Sequence, residues 1–165
     1  MAHIAWDDVI AYKERVSHPI RKLGAKMKTF NQHHTIMFSD CDNAQIVFYP
    51  NYFQWFDRAT QNMFNEVGLP WSQMWPDYDI AGIPLVDAQA TFKAPLRMED
   101  EIVIDSWVED WSGKVGTVRH NVRKGDTIHV EGVEKRVWAK IAPDSPKGIR
   151  AEPMPEEVRK LLMGE

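Results

Sequence analysis

Between residues 49 and 67 the apolar positions recur at helical spacing. At about 100° per residue, Tyr49, Tyr52, Phe53, Phe56, Thr60, Met63, Phe64 and Val67 fall along one side. Gln54, Arg58, Gln61, Asn62 and Asn65 fall largely on the other. Pro50 suits the first helical position, where its missing N–H would have no intrahelical partner, and Gly68 with Pro70 marks the end. The pattern predicts one long helix with an aromatic buried side. Elsewhere the pattern suits strands, over 27–38, 83–92, 101–111, 114–123 and 127–141. The last three are joined by the tight-turn sequences Ser112-Gly113 and Lys124-Gly125-Asp126. In the final strand the apolar parity shifts from Ile128 and Val130 to Val133, Val137, Ala139 and Ile141, which predicts a bulge or strong local twist at Gly132.

Three stretches complete the chain. Residues 71–82, with Trp71, Trp75 and Pro76, read as irregular. A proline-rich loop (Pro143, Pro146, Pro153, Pro155) leads into a short helix over 156–163. At the start, Trp6, Val9, Ile10, Lys13 and Val16 predict a short amphipathic helix, followed by a basic connector over 17–26. The reading is an extension over residues 1–26 and a single domain over 27–165. Strand, long helix, then four strands in an antiparallel meander give an α+β architecture, with the helix wrapped by a curved sheet.

Composition narrows the function classes. A chain of 165 residues can bury a core without staples, and 44% hydrophobic with 27% charged residues is ordinary for a globular domain. The net charge of −4 gives no support to a nucleic-acid partner. No apolar run reaches the roughly 18 residues of a membrane span. The acidic N-terminus is no signal peptide, and the lone Cys41 excludes an internal disulfide; both favour a reducing cytoplasm.

Chemistry concentrates just before the long helix, where Asp40 and Asp42 precede Tyr49-Pro50. A carboxylate beside a helix N-terminus suits acyl chemistry: it attacks or activates water while free backbone N–H groups hold an oxyanion. The residues alone do not choose between the two acids. A metal site with His33 and His34 is disfavoured, because adjacent strand residues point to opposite faces. Cys41 has no recognisable histidine partner motif, and His120, on one strand face with Val118 and Val122, reads as a core or interface histidine. Trp71 and Trp75 either line the acyl end or pack the irregular segment, and packing is the preferred reading. Charge is uneven along the strands. Residues 95–111 hold one arginine against six carboxylates, net −5, while residues 114–140 hold seven cations against three, net +4. These either pair across the meander or, in part, form a basic surface for phosphates.

The segment Asp40-Cys-Asp-Asn-Ala-Gln-Ile-Val-Phe-Tyr-Pro-Asn-Tyr52 resembles the Asp-Cys-Asp-Pro-Ala-Gly-Ile-Val-aromatic-Tyr-Pro-Asn-Tyr signature of the 4-hydroxybenzoyl-CoA thioesterase-like proteins of the hotdog fold. The likeness continues through Trp55-Phe-Asp57, Gly68-Leu-Pro70, Gly82-Ile-Pro84, Trp111-Ser-Gly-Lys114 and Arg119-His120, covering about residues 27–142. It implies a five-stranded hotdog sheet around one helix, with Asp42 the catalytic carboxylate and the Tyr49 N–H polarising the thioester carbonyl. Gln45, Phe48, Asp57, Pro84 and Lys114 are the expected substrate contacts, with Lys114 at the coenzyme A phosphates and Asp57 either facing the acyl group or making an ordinary ion pair at the edge of the helix stripe. Two positions depart from the signature. Asn43 stands for a proline and still suits a turn. Gln45 stands for a glycine and either narrows the acyl pocket or donates a hydrogen bond.

The resulting expectation is an acyl-CoA thioesterase for an aromatic or short to medium acyl group. It needs no cofactor or metal, meets no nucleic acid or membrane, and works as a homodimer or homotetramer. A non-catalytic acyl-CoA sensor is the alternative. A hotdog dehydratase is disfavoured, since residues 43–56 contain no histidine.

Overall fold

The computed structural model describes residues 27–146 and 148–165, so the helix expected near the N-terminus lies outside the described residues. The strands are β1 (Phe30–Thr35), β2 (Ile80–Gly82), β3 (Leu85–Phe92), β4 (Glu101–Asp110), β5 (Val115–Lys124), β6 (Thr127–Val137), β7 (Ala139–Ile141) and β8 (Ile149–Ala151). The helices are α1 (Pro50–Glu66), α2 (Trp71–Asp77) and α3 (Glu156–Met163), with a 3-10 turn at Phe38–Asp40. Five strands form one antiparallel sheet in the order β1-β4-β5-β6-β3, and β2-β7-β8 form a smaller one. The expected four-strand meander is therefore corrected. β4-β5-β6 do follow one another, but β3 joins the far side of β6 and forms an edge.

Helix α1 follows its amphipathic pattern. Tyr49 is its N-cap, Pro50 opens it, and Gly68 leaves it at φ +79°. Tyr52, Trp55, Phe56, Ala59, Thr60, Met63 and Phe64 are buried; full burial of a large apolar side chain stabilises by roughly 1.5–3 kcal/mol. The stripe is rotated slightly from the expected one, since Trp55 and Ala59 go inside while Tyr49 stays exposed. The 71–82 segment is not irregular. Trp71, Met74 and Trp75 lie on one face of α2, and β2 follows at once. The long last strand is two strands, β6 and β7, in different sheets.

The parity shift in β6 has a different cause from the expected bulge. The core-facing residues run Val130, Gly132, Glu134, Arg136 without interruption, while Val133 and Val137 lie on the other face. The irregular pairing between β5 and β6 falls at Val122/Arg123 instead. Gly132 serves a close approach: an added Cβ would sit 2.5 Å from the Phe56 ring. One register row crosses the sheet beneath α1, through Phe30, Ser106, His120, Gly132 and Ala90. Ser106 and His120 of this row, Glu134 as the next inward residue of β6, and Thr60 of α1, which donates to Glu134, form a polar band. The band divides two apolar clusters, one around Tyr52, Phe56 and Ile104, the other around Phe64, Trp111 and Trp138.

Candidate active site

The stretch before α1 folds as a tight hairpin closed by a bridge between Cys41 and Val47. The Gln45 N–H donates to the Asp42 carbonyl (2.9 Å), and the Asp42 N–H donates to the Ile46 carbonyl (2.9 Å). Asp42 Oδ1 accepts the Ala44 N–H at 2.8 Å, the local bond that draws aspartate to turns. Its Oδ2 accepts no hydrogen bond among the described residues, and Asp42 is exposed. Gln45 has φ +58°, a left-handed conformation that favours glycine. Arg97 Nη1 donates to its carbonyl (3.3 Å).

Asp40 braces this hairpin from outside. Its carboxylate accepts the Met37 N–H (2.8 Å) and lies 3.4 Å from His34 Nε2. Its carbonyl accepts the Phe48 N–H (2.8 Å) and Asn51 Nδ2 (2.9 Å). Val47 N–H donates to the Leu96 carbonyl, tying the hairpin to the core. At the helix start, the Asn51 and Tyr52 N–H groups are taken by the Phe48 and Tyr49 carbonyls, and Pro50 has none. The Tyr49 N–H donates to no acceptor among the described residues. The arrangement offers one carboxylate with a free oxygen in the hairpin and, where the hairpin enters a 17-residue helix at its positive end, an open main-chain donor. Phe48 is half-exposed, with its ring 5.4 Å from that of Tyr49.

A second group of expected residues lies elsewhere. Asp57 is on α1, eight residues or roughly 12 Å along the axis from Tyr49. It lines a cleft of about 470 Å³ with Pro84, Trp71, Trp75, Leu85 and Arg136. Trp71 and Trp75 stack there at 5.6 Å, so they form a cleft wall as well as packing. Lys114 is farther off. The hairpin lies by Leu96, near the start of β4, while Lys114 follows its end, so β4's ten residues, roughly 30 Å of strand, separate them. Within one chain, then, Asp42, Gln45, Phe48 and Tyr49 lie on one hairpin and helix start, and Asp57 and Pro84 line one cleft. Lys114 does not line that cleft, although its carbonyl accepts the Trp138 N–H next to Val137, which bonds to Pro84.

Several of the charges do pair across the sheet: Arg123 with Asp105, Arg119 with Glu109, Lys124 with Asp100, Lys93 with Glu131. Lys114, Lys135 and Lys140 have no ion pair among the described residues. Glu134 and Arg136, counted by sequence among strand-surface charges, are instead buried, at 1% and 2% exposure. Glu134 Oε2 accepts Thr60 Oγ1 (2.7 Å), Arg136 Nε (2.9 Å) and His120 Nε2 (3.3 Å), and Oε1 accepts Arg136 Nη2 (2.9 Å). Burial alone would raise the Glu134 pKa, but the hydrogen bonds from His120 and Arg136 hold it at about 2. An ionised Glu134 only accepts, so His120 carries its proton on Nε2 and Ser106 Oγ–H donates to Nδ1 (2.8 Å). Burial keeps His120 neutral, its pKa below the usual histidine range. Arg136 Nη2 also reaches Asp57 Oδ1 at 2.6 Å, and Nη1 donates to the Ile83 carbonyl. Sequence reading missed this network, although Glu134 and Arg136 share the strand parity of Val130.

A sheet wrapped on one helix, with an acidic hairpin at the helix start, defines the hotdog class, and the family comparison agrees. The family model of the thioesterase-like superfamily matches residues 36–162, and the chain belongs to that superfamily. The chain is 38% identical over 90 residues to 4-hydroxybenzoyl-CoA thioesterase of Pseudomonas sp. (strain CBS-3), covering 54% of this chain and 64% of that protein. It spans 64%, 55% and 50% of three curated relatives it matches. Among solved structures, a mutant 4-hydroxybenzoyl CoA thioesterase complexed with 4-hydroxybenzoyl CoA superposes with TM-score 0.72 at 31% identity, covering 81% of this chain and 98% of that one. A gentisyl-coenzyme A thioesterase gives 0.67 at 34%, with the same coverage.

Proposed function

We propose that the protein is an acyl-CoA thioesterase in which Asp42 and the Tyr49 N–H act on the thioester. The observations that carry this reading are the free oxygen of Asp42 and the open Tyr49 N–H, on the one hairpin that leads into α1. The thioester oxygen accepts the Tyr49 N–H, strengthened by the helix dipole, as negative charge builds on it. Asp42 either attacks the carbonyl, giving a mixed anhydride that water then opens, or takes a proton from an attacking water. In both routes water's oxygen ends in a carboxylic acid and the thiolate leaves as free thiol. Oxygen-18 from solvent appearing in the Asp42 carboxylate after a single turnover identifies the anhydride route.

The acyl group sits in the cleft beside Asp57 and Pro84, and that cleft belongs to a second copy. β3 is an edge strand whose exposed start, Leu85-Val86, is apolar, whereas the other edge, β1, is polar. Antiparallel pairing of two β3 edges brings the Phe92 end of one copy, which packs on Tyr52 near the helix start, to the Leu85 end of its partner. Asp42 of one copy then faces the cleft of the other in a homodimer. The unpaired Lys114, Lys135 and Lys140 are the candidates for the coenzyme A phosphates. The relatives' names carry hydroxylated aromatic acyl groups, and Asp57 supplies a hydrogen-bond acceptor for such a substituent. The lone, partly buried Cys41 is in keeping with a reducing cytoplasm.

Free-thiol release from a panel of aromatic and aliphatic acyl-CoA esters tests the reading. Release from aromatic members supports it. Binding of esters without release from any of them supports a non-catalytic acyl-CoA sensor instead.

A further inference from the structure

The polar band through the core ends at the cleft, and its charges do not cancel there. Glu134 takes two bonds from Arg136, through Nε and Nη2, and these two buried side chains already neutralise each other. Asp57 is then a surplus carboxylate on the same guanidinium. It is held by the 2.6 Å bond from Nη2, with its side chain 57% exposed. Ile83 fixes the guanidinium from the other side through Nη1, and Thr60 and His120 fix Glu134. Asp57 and Arg136 are the charged groups lining the cleft, whose other walls include Trp71, Trp75 and Leu85. Asp57 is thus an acceptor on a rigid mount, in a largely apolar cleft with a net charge of −1 close by.

Resting on the thioesterase reading above, we infer that Glu134 and Arg136 are positioning residues that set the charge and aim of Asp57 and thereby the acyl specificity. The cleft takes an apolar acyl body carrying a hydroxyl or amino donor and rejects one carrying a second carboxylate. A donor on the ligand gives Asp57 a second hydrogen-bond partner beside Arg136 Nη2. A carboxylate there meets Asp57 with no cation left unshared, because Arg136 is already committed to Glu134.

The test compares kcat/KM for benzoyl-CoA, 4-hydroxybenzoyl-CoA and 4-carboxybenzoyl-CoA. The native protein is expected to rank them hydroxy, unsubstituted, carboxy, with steps of roughly tenfold or more. Arg136→Lys keeps a cation beside Glu134 but loses the fork that reaches Asp57, and should reduce the hydroxy preference. Glu134→Gln removes the surplus charge and should raise the carboxy ester relative to benzoyl. Where that buried variant fails to fold, Asp57→Asn, at an exposed position, makes the same change in net charge. No thiol release from any ester overturns the thioesterase reading and this inference with it. Equal rates on all three esters, or unchanged ratios in folded Arg136→Lys and Asp57→Asn, overturn the inference alone.

Discussion

Gln45 occupies a position where the backbone asks for glycine, next to the carboxylate on which the proposed chemistry depends. A side chain at positive φ costs about 1 kcal/mol or somewhat more. Gln45→Gly should therefore raise the urea midpoint by an amount worth about 1 kcal/mol; an unchanged or lower midpoint contradicts the strain. The glycine that the signature carries before Ile46 is the sequence sign of this conformation, but sequence reading treats it as a matter of pocket space, and a hairpin closed by one bridge has no run of alternating residues to reveal it otherwise. Asp42 was legible only through the signature. By its local bonds it is an ordinary turn aspartate, and that one of its oxygens stays free is visible only in three dimensions. Asp40, the other acid of the pair, bonds to Met37 on one side and to Phe48 and Asn51 on the other, which is the work of a brace.

Among elements, α1 was legible because its limits are chemical as well as periodic: proline at its first position, glycine just past its end. β6 misled for an equally physical reason. Its inward face turns ionic after Gly132, so the apolar residues that continue the pattern, Val133 and Val137, are those facing away from the helix. Pattern reading assumes that the core is apolar, and here a buried ion network breaks the assumption. The glycine instead lets α1 approach the sheet, with the Phe56 ring over Gly132 and stacked on His120 at 4.7 Å. Gly132→Ala should push the ring off His120 and destabilise by about 1–3 kcal/mol, read from denaturant unfolding. A loss below a few tenths of a kcal/mol would show that the ring yields without strain.

At the scale of the molecule, the polar band makes folding stability depend on pH. The folded pKa values of both His120 and Glu134 lie below their ordinary ranges, so the unfolded chain binds more protons as pH falls. The His120 contribution is complete above the unfolded histidine value of about 6.5 and is lost below it; that of Glu134 is lost as pH falls from about 4.5 toward about 2. Unfolding free energy should thus begin to fall below about pH 6.5 and drop more steeply below about pH 4.5. A flat profile across that window would mean that neither group is held as the hydrogen bonds indicate.

The same scale carries the functional proposal, since the acidic hairpin and the cleft at Asp57 lie at different places on one chain and are brought together by the proposed dimer. Its central element is still one carboxylate. The most direct measurement is the turnover of Asp42→Asn on the best aroyl-CoA ester, with circular dichroism and urea unfolding confirming the fold. The amide would keep the side chain's size and its bond to the Ala44 N–H while removing the nucleophile or base, so kcat should fall by roughly 10²–10⁴ with little loss of stability. Retention of most of the native kcat in the folded variant would contradict the account.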